Sequence, residues 1–502
     1  MAILAVYDAT GIQDYVFESG KLSECRGASL LVRSVFREIL PQSLRALSAG
    51  SLTDWENKTD TPLCHGAPAE IVSAGGGNAY VVYENEDRFQ AGTEKFLRAV
   101  FEKTHGVGIA AAAIETDLAD FPSDYEKLQT KLAETKGAPT AVRLAGSQHI
   151  TRVSTLTGAP VTRVGQYHGQ WENLGEGQYR KRDQDARTGG GRELDDLGES
   201  DNNFIGLIHA DGNDMSSRIR ATARKERSWE RAVPKLRRMA KNISAYFKEA
   251  YKLTVEAYQA SFSPGEQVPP IISLVSDGED MTFFVRGKYA VSFAAAYLRN
   301  VERLNDDKNL APFADGRKIT ACAGVTLFHS HFPVAAAYKM TEELCANAKS
   351  LARRAQKEQK QELSFLDFHL AASGFITGVG EFRSAYYPAT NLGRLYLRPL
   401  CASEYVPPHW NTYDGFVALL QELRRDPEKY PRSKLKDIRP ALVRNLGESF
   451  PLAEAAIGKL GLEPAQREDN GYVSTHKYAA LNDALEFMDI FENILGGPAY
   501  EK

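Results

Sequence analysis

Cysteine is scarce. Five residues in 502, none of them in a CxxC pair, give no disulfide framework and no thiolate zinc knuckle to expect. Cys25, Cys64, Cys322, Cys345 and Cys401 are scattered and read as reduced thiols. Long apolar runs are missing too, and no stretch approaches the roughly 20 residues that a membrane helix needs. The opening Met1-Ala-Ile-Leu-Ala-Val lacks a basic segment and a cleavage signature and soon meets Asp8, so it reads as a buried strand rather than a secretory signal. A cytoplasmic protein without a membrane partner is expected. Net charge is only −4, which excludes a global basic field for nucleic acid and leaves room for local basic stretches.

What the chain has is length and alternation. At 502 residues it suffices for two to four domains, each with its own core. A strand over Ile3–Val6 is followed by a helical region reaching Leu30 and Phe36. Ile71–Ser73 and Ala79–Tyr83 read as a hairpin through Gly75-Gly76-Gly77-Asn78. A helix around Phe89–Phe101 and a strand over Val107–Ile114 complete a βαββαβ unit. From about Ala138 to Asn203 periodicity is lost, which predicts an inter-domain insertion without regular structure, mobile in part.

The same order then returns. Phe204–Ala210 is a near-continuous apolar strand ending at Asp211, and a long helix from about Trp229 carries Leu236, Met239, Ile243 and Phe247 on one face. Strands over Ile271–Val275 and Met281–Val285 join through Ser276-Asp277-Gly278-Glu279-Asp280. A helix over Tyr289–Val301, a strand over Ile319–Leu327 and an amphipathic helix over Val334–Ala352 follow. The expected fold is α+β: two ferredoxin-like (βαββαβ) palm domains with a helical C-terminal domain. The boundaries are 1–137 for the first palm, 138–203 for the insertion, 204–375 for the second palm and 376–502 for the helical domain. The tail's helix candidates are Phe416–Leu423, Leu435–Leu446, Leu452–Leu460 and Leu481–Ile494.

Carboxylates gather in the second unit. Asp211 ends its first strand, and Asp277, Glu279 and Asp280 sit in the turn between its second and third strands. These places converge in a βαββαβ sheet, and a cluster of hard oxygen ligands is what two-metal nucleotidyl transfer requires. Gly278 allows a positive φ and a close backbone approach to phosphate. Acidic hairpin turns are also common for purely structural reasons; the second acidic strand end is what sets this one apart. Lys349, late on the last helix, either reaches a phosphate as a point charge or belongs to a solvated basic face with Arg353 and Arg354. The Gly75–Asn78 tip reads as a plain hairpin turn before a phosphate cradle, and His209, His329 and His331, which suggest a metal site but lack a third ligand at suitable spacing, as strand or loop histidines.

Read in order, these segments resemble one family. Tyr7-Asp8-Ala9-Thr10-Gly11-Ile12-Gln13-Asp14-Tyr15-Val16-Phe17, Arg26-Gly27-Ala28-Ser29 and the Gly75–Asn78 hairpin resemble the first palm of Cas10-type (Csm1/Cmr2-like) proteins of type III CRISPR systems. Asp211-Gly212-Asn213-Asp214-Met215 resembles the strand end of their second palm, and Ser276-Asp277-Gly278-Glu279-Asp280-Met281 stands where they carry Gly-Gly-Asp-Asp. Ala323-Gly324-Val325, Phe332-Pro333-Val334 and Ala348-Lys349 are similar to that palm's last strand and helix, a pattern shared with GGDEF diguanylate cyclases. The resemblance covers about residues 1–370.

The resemblance implies a metal-dependent nucleotidyl transferase or cyclase that makes cyclic oligoadenylate-type second messengers from ATP in antiviral defence. Asp211 and Glu279 would be the principal ligands of two Mg²⁺ or Mn²⁺ ions and Asp280 an auxiliary one, all three forming the catalytic set. Ser276, Asp277, Gly278, Asn213 and Lys349 would contact the nucleotide. The implied partners are ATP and either Cas7/Cas5-like RAMP subunits with a guide RNA or further copies of the chain. The family's HD nuclease domain is not expected, since no His-Asp dipeptide occurs, and Ser154–Pro160 resembles the zinc-binding region that the family carries between its palms, without the thiols. Asp277 in place of the first Gly and Asn213 in place of an Asp point to the other reading: a catalytically degenerate palm scaffold that binds nucleotide or RNA within a ribonucleoprotein.

Overall fold

A computed structural model describes residues 1–137, 150–167, 170–190, 193–198, 203–307, 309–313, 315–371, 378–387, 394–406, 410–443, 449–462 and 478–495. The first palm has strands β1 (Ala2–Thr10), β2 (Ala69–Gly75), β3 (Asn78–Tyr83) and β4 (Gly108–Thr116). They lie in the order β2-β3-β1-β4 with every neighbouring pair antiparallel, which is the ferredoxin-like arrangement. The helix Glu86–Thr104 shows why this sequence folds so locally. The Asn85 side chain accepts from the Arg88 N–H at 3.0 Å, Glu86 and Asp87 face the positive end of the dipole, and Phe96, Val100 and Thr104 repeat every fourth residue on the buried face.

The second palm repeats the plan with β7 (Phe204–Gly212), β8 (Ile272–Asp277), β9 (Asp280–Arg286) and β10 (Ala321–His329). Two more strands, β11 (Phe365–Ala371) and β12 (Leu400–Cys401), extend it to the order β12-β11-β10-β7-β9-β8. β11 runs parallel to β10 because the helix Val334–Gln359 carries the chain back along the sheet. The near-continuous apolar run of β7 reflects burial on both faces. Ile208 and Ala210 pack toward the helices Trp229–Ala260 and Gly287–Arg303, while Ile205 and Leu207 share a core with Tyr7 and Val81 of the first palm.

The structure departs from the expectation of an irregular insertion at 163–187. β5 (Arg163–Tyr167) and β6 (Gln170–Leu174) form a hairpin, and Glu176–Arg187 is a helix. No apolar stripe announces this helix because ion pairs dock it. Arg182 meets the fully buried Glu24 at 2.7 Å, Arg26 meets Asp185 at 2.8 Å, and Lys181 donates to the Tyr15 carbonyl at 2.6 Å. Gly27 is required by the approach, since a Cβ there would stand 1.7 Å from the Lys181 carbonyl oxygen.

The tail's helices, Tyr413–Arg425, Arg432–Val443, Ser449–Lys459 and Ala479–Phe487, share the main core of the second palm, where Leu420 and Phe487 pack with Phe368 of β11. The parts of the expected helices at 444–446 and of the insertion at 138–149 lie outside the described residues. Among the described residues no helix is long and apolar enough to cross a membrane.

Candidate active site in the cleft between the palms

Strand alternation builds the centre. On β7, residues 205, 207, 209 and 211 point to one face, so the apolar run that anchors the strand ends in His209 and Asp211 on that face. The register pairs His209 with Thr282 and Ala210 with Met281; one step further, Asp211 lies opposite Asp280 at the start of β9. Ligand atoms of His209, Asp211 and Asp280 lie within 4.8 Å of one another. Lys349 reaches this group from the helix Val334–Gln359 and ion-pairs with Asp211.

Electrostatics mark the group as strained without a counter-ion. Asp280 is open to solvent in the cleft, yet protein crowds it on the remaining sides. Desolvation, and then the charges of Asp211 and Glu279, raise its carboxyl well above the ordinary carboxylate range. Burial works against the charge of Lys349, but Asp211 outweighs it and holds the ammonium above its ordinary value. Burial also lowers His209 to about 4, so its ring is neutral near pH 7. Two carboxylates beside a neutral imidazole suit a divalent cation, whose charge would remove the repulsion at Asp280.

Of the residues singled out in the sequence, the structure brings together Asp211, Asp280 and Lys349. Glu279, in the turn before β9, stands outside that group. It lines a cavity of about 610 Å³ with Gly76, Asn78, Ser216 and Arg220, whereas Asp280 lines one of about 370 Å³ with Ile12, Phe36 and Val275. Gly278 turns the hairpin at φ +62° and abuts Gly76 of the first palm, so the two hairpin tips meet. The Asn213 side chain donates to Thr320 Oγ1 at 2.9 Å and is committed to the framework. Ser276 and Asp277 end β8, and their side chains lie outside what the structure describes.

A metal site at His209 was set aside in the sequence for want of a third ligand, and the residue was read as a strand histidine. The signal was available: it stands two residues before Asp211, hence on the same face. Lys349, for which a solvated basic face was the competing reading, is largely buried against Asp211, with 18 % of its side chain exposed.

The first palm contains a partial copy. Asp8 pairs in register with Asn78, which follows the Gly76-Gly77 turn as Asp280 follows Gly278-Glu279. Lys136, on the helix after β4, contacts Asp8 at 2.7 Å as Lys349, on the helix after β10, contacts Asp211. The strand-end aspartate and the helix lysine are present in both palms. The hairpin carboxylates are present only in the second.

Fold and centre together define a tandem-palm protein whose second palm carries an acidic site facing the first. Residues 204–358 match the family Cas10/Cmr2, second palm domain. The structure is also similar to crystal structures of a Csm1-Csm4 cassette. The complex with cA3 gives a TM-score of 0.56 at 13% identity, covering 97% of this chain and 70% of that one. The complex with cA4 gives 0.54 at 12%, covering 97% and 69%, and the complex with one ATP gives 0.52 at 13%, covering 97% and 70%. At such identities the likeness is one of fold. No curated protein matches the chain by sequence. The resemblance to Cas10-type proteins thus holds in the second palm by family match and along nearly the whole chain by fold.

Proposed function

We propose that the cleft between the palms joins nucleoside triphosphates, turning ATP into cyclic oligoadenylate-type products. The observation that carries this reading is the meeting of Asp211, Asp280 and Lys349 at the cleft wall, on a palm that matches the Cas10/Cmr2 family. In the reaction the 3′-hydroxyl oxygen of one nucleotide forms a bond to the α-phosphorus of another and its proton passes to solvent, while the α–β bridging P–O bond breaks and pyrophosphate leaves. Asp211 and Asp280 would hold the cations, with Glu279 adding negative charge from the adjoining cavity. Bound Mg²⁺ or Mn²⁺ ions supply neutralisation of the triphosphate and activation of the attacking hydroxyl. Lys349 exchanges Asp211 for a phosphate oxygen when the nucleotide enters, acting as a point charge. Gly278 gives the turn the positive φ that brings backbone N–H groups within reach of a phosphate, and Ser276, Asp277 and Asn213 are the further nucleotide contacts of this reading.

The solved relatives are cassettes of Csm1 with Csm4, one of them in the type III-A CRISPR-Csm interference complex. An assembly with Cas7/Cas5-like RAMP subunits and guide RNA belongs to the same reading, with a homo-oligomer as the alternative. Incubating the chain and its partners with labelled ATP and Mg²⁺ or Mn²⁺ tests the reaction. Pyrophosphate and oligoadenylate that disappear in Asp280→Asn support it. ATP recovered intact overturns it and leaves a second reading, a nucleotide- or RNA-binding scaffold. That reading is favoured by one observation, the commitment of Asn213 to Thr320 rather than to the acidic group.

A further inference from the structure

A pair of aspartates alone would offer a cation only hard oxygen donors, but this centre has a nitrogen in it. His209 is 8% exposed and places a ring nitrogen within 4.8 Å of the ligand atoms of Asp211 and Asp280. Its Nδ1 lies 3.0 Å from the Thr282 hydroxyl on β9, and the ring meets Tyr338 edge-on at 5.8 Å. With the proton on Nδ1 and shared with Thr282 Oγ1, the Nε2 lone pair is left to bind a cation. A hydrogen bond from one ring nitrogen to an outer partner is the usual way a protein fixes a ligating imidazole. The opposite tautomer would deny the cation a lone pair, so the Thr282 contact bears on the function of the ring.

We infer that His209 is a third cation ligand beside Asp211 and Asp280, and that it makes the site select first-row transition ions such as Mn²⁺ over Mg²⁺. The reason is the donor set. Mg²⁺ demands oxygen donors in near-ideal octahedral geometry and keeps its waters, whereas imidazole nitrogen gains its affinity with transition ions. The first palm fits the same argument from the other side. Its counterpart of His209, two residues before Asp8, is Val6, and the counterpart of Asp280 is Asn78, so that palm lacks both donors.

This inference rests on the proposed nucleotidyl-transfer centre, and the test separates the two. Full-length chain is loaded with Mn²⁺ without nucleotide, and binding is followed by electron paramagnetic resonance, with Mg²⁺ as competitor. The expected result is Mn²⁺ binding that Asp280→Asn abolishes, with a spin-echo modulation from a directly bound ¹⁴N. His209→Gln loses the modulation and weakens Mn²⁺ by more than it weakens Mg²⁺. Thr282→Val keeps the modulation and costs Mn²⁺ roughly tenfold, as the loss of an outer partner does. Asp280-dependent Mn²⁺ without nitrogen modulation in the wild-type chain overturns the role of His209 and leaves the centre standing. Mn²⁺ binding that ignores Asp280 overturns both. The wild-type spectrum decides the question even where a variant at this buried position folds poorly.

Discussion

Asp8 and Lys136 form, in the first palm, the ion pair that Asp211 and Lys349 form in the second. Both join the end of a palm's first strand to the helix after its fourth. The shared pair is therefore part of the duplicated framework, and the chemistry is set by what stands opposite it: Asn78 in one palm, Asp280 in the other.

Asp280→Asn separates function from stability. Turnover should fall by about a thousandfold, the several kcal/mol that charge neutralisation by a bound cation supplies. In the absence of divalent ions the variant should melt at a higher temperature than the parent, because one of three crowded carboxylates has lost its charge. Glu279→Gln, outside the ligand group, should cost turnover less. Initial rates and metal-free thermal melts check both statements.

Lys349→Met removes an ammonium that occupies Asp211 and is proposed to hold phosphate. A hydrogen bond to a charged group is worth about 1.5–3 kcal/mol, so KM for ATP should rise on the order of tenfold or more. Affinity for Mn²⁺ alone should rise, because Asp211 is released from its competitor. Calorimetry without nucleotide would contradict this if Mn²⁺ binding weakened instead.

Arg398 is fully buried and bonds Asp483 at 3.0 Å and Glu486 at 2.8 Å, both on the tail helix Ala479–Phe487, while also donating to the Phe368 carbonyl of β11 at 2.7 Å. Arg398→Met leaves Asp483 in the core without its cation, while Glu486 keeps Arg439 at 2.6 Å. The expected cost is about 3–5 kcal/mol. Denaturant unfolding measures it, and limited proteolysis should show the tail helices released first.

His369 lies in the same region, edge-on to Phe382 at 4.6 Å, and burial lowers it to about 3. A base whose folded value lies below its unfolded value, near 6.5, stabilises the fold above the unfolded value. That contribution is lost as pH falls from about 6.5 toward 3, since the unfolded chain then binds the extra proton. Stability measured across this window should fall more steeply for the parent than for His369→Gln. Parallel slopes would show that the ring does not carry the dependence.

Much of the fold is written locally. Alternating and continuous apolar runs define the eight palm strands, and the recurrence of one element order reveals the duplication, because side-chain period follows backbone geometry. The helix Glu176–Arg187 escaped such reading, since ion pairs to Glu24 and Arg26 dock it rather than an apolar stripe. The association of the tail with β11 was equally hidden, because the Arg398 network links residues some 85 positions apart.

Residue order alone shows carboxylates at a strand end and a hairpin tip, a glycine able to turn that hairpin, and a lysine on the helix after the palm's fourth strand. It takes the packed sheet to set Asp280 rather than Glu279 beside Asp211, to turn Lys349 inward and to bring His209 to them. The physical reason is register. A one-residue shift in β7–β9 pairing would exchange the faces of the hairpin acids, and that register is fixed by packing both sheet faces against helices distant in sequence.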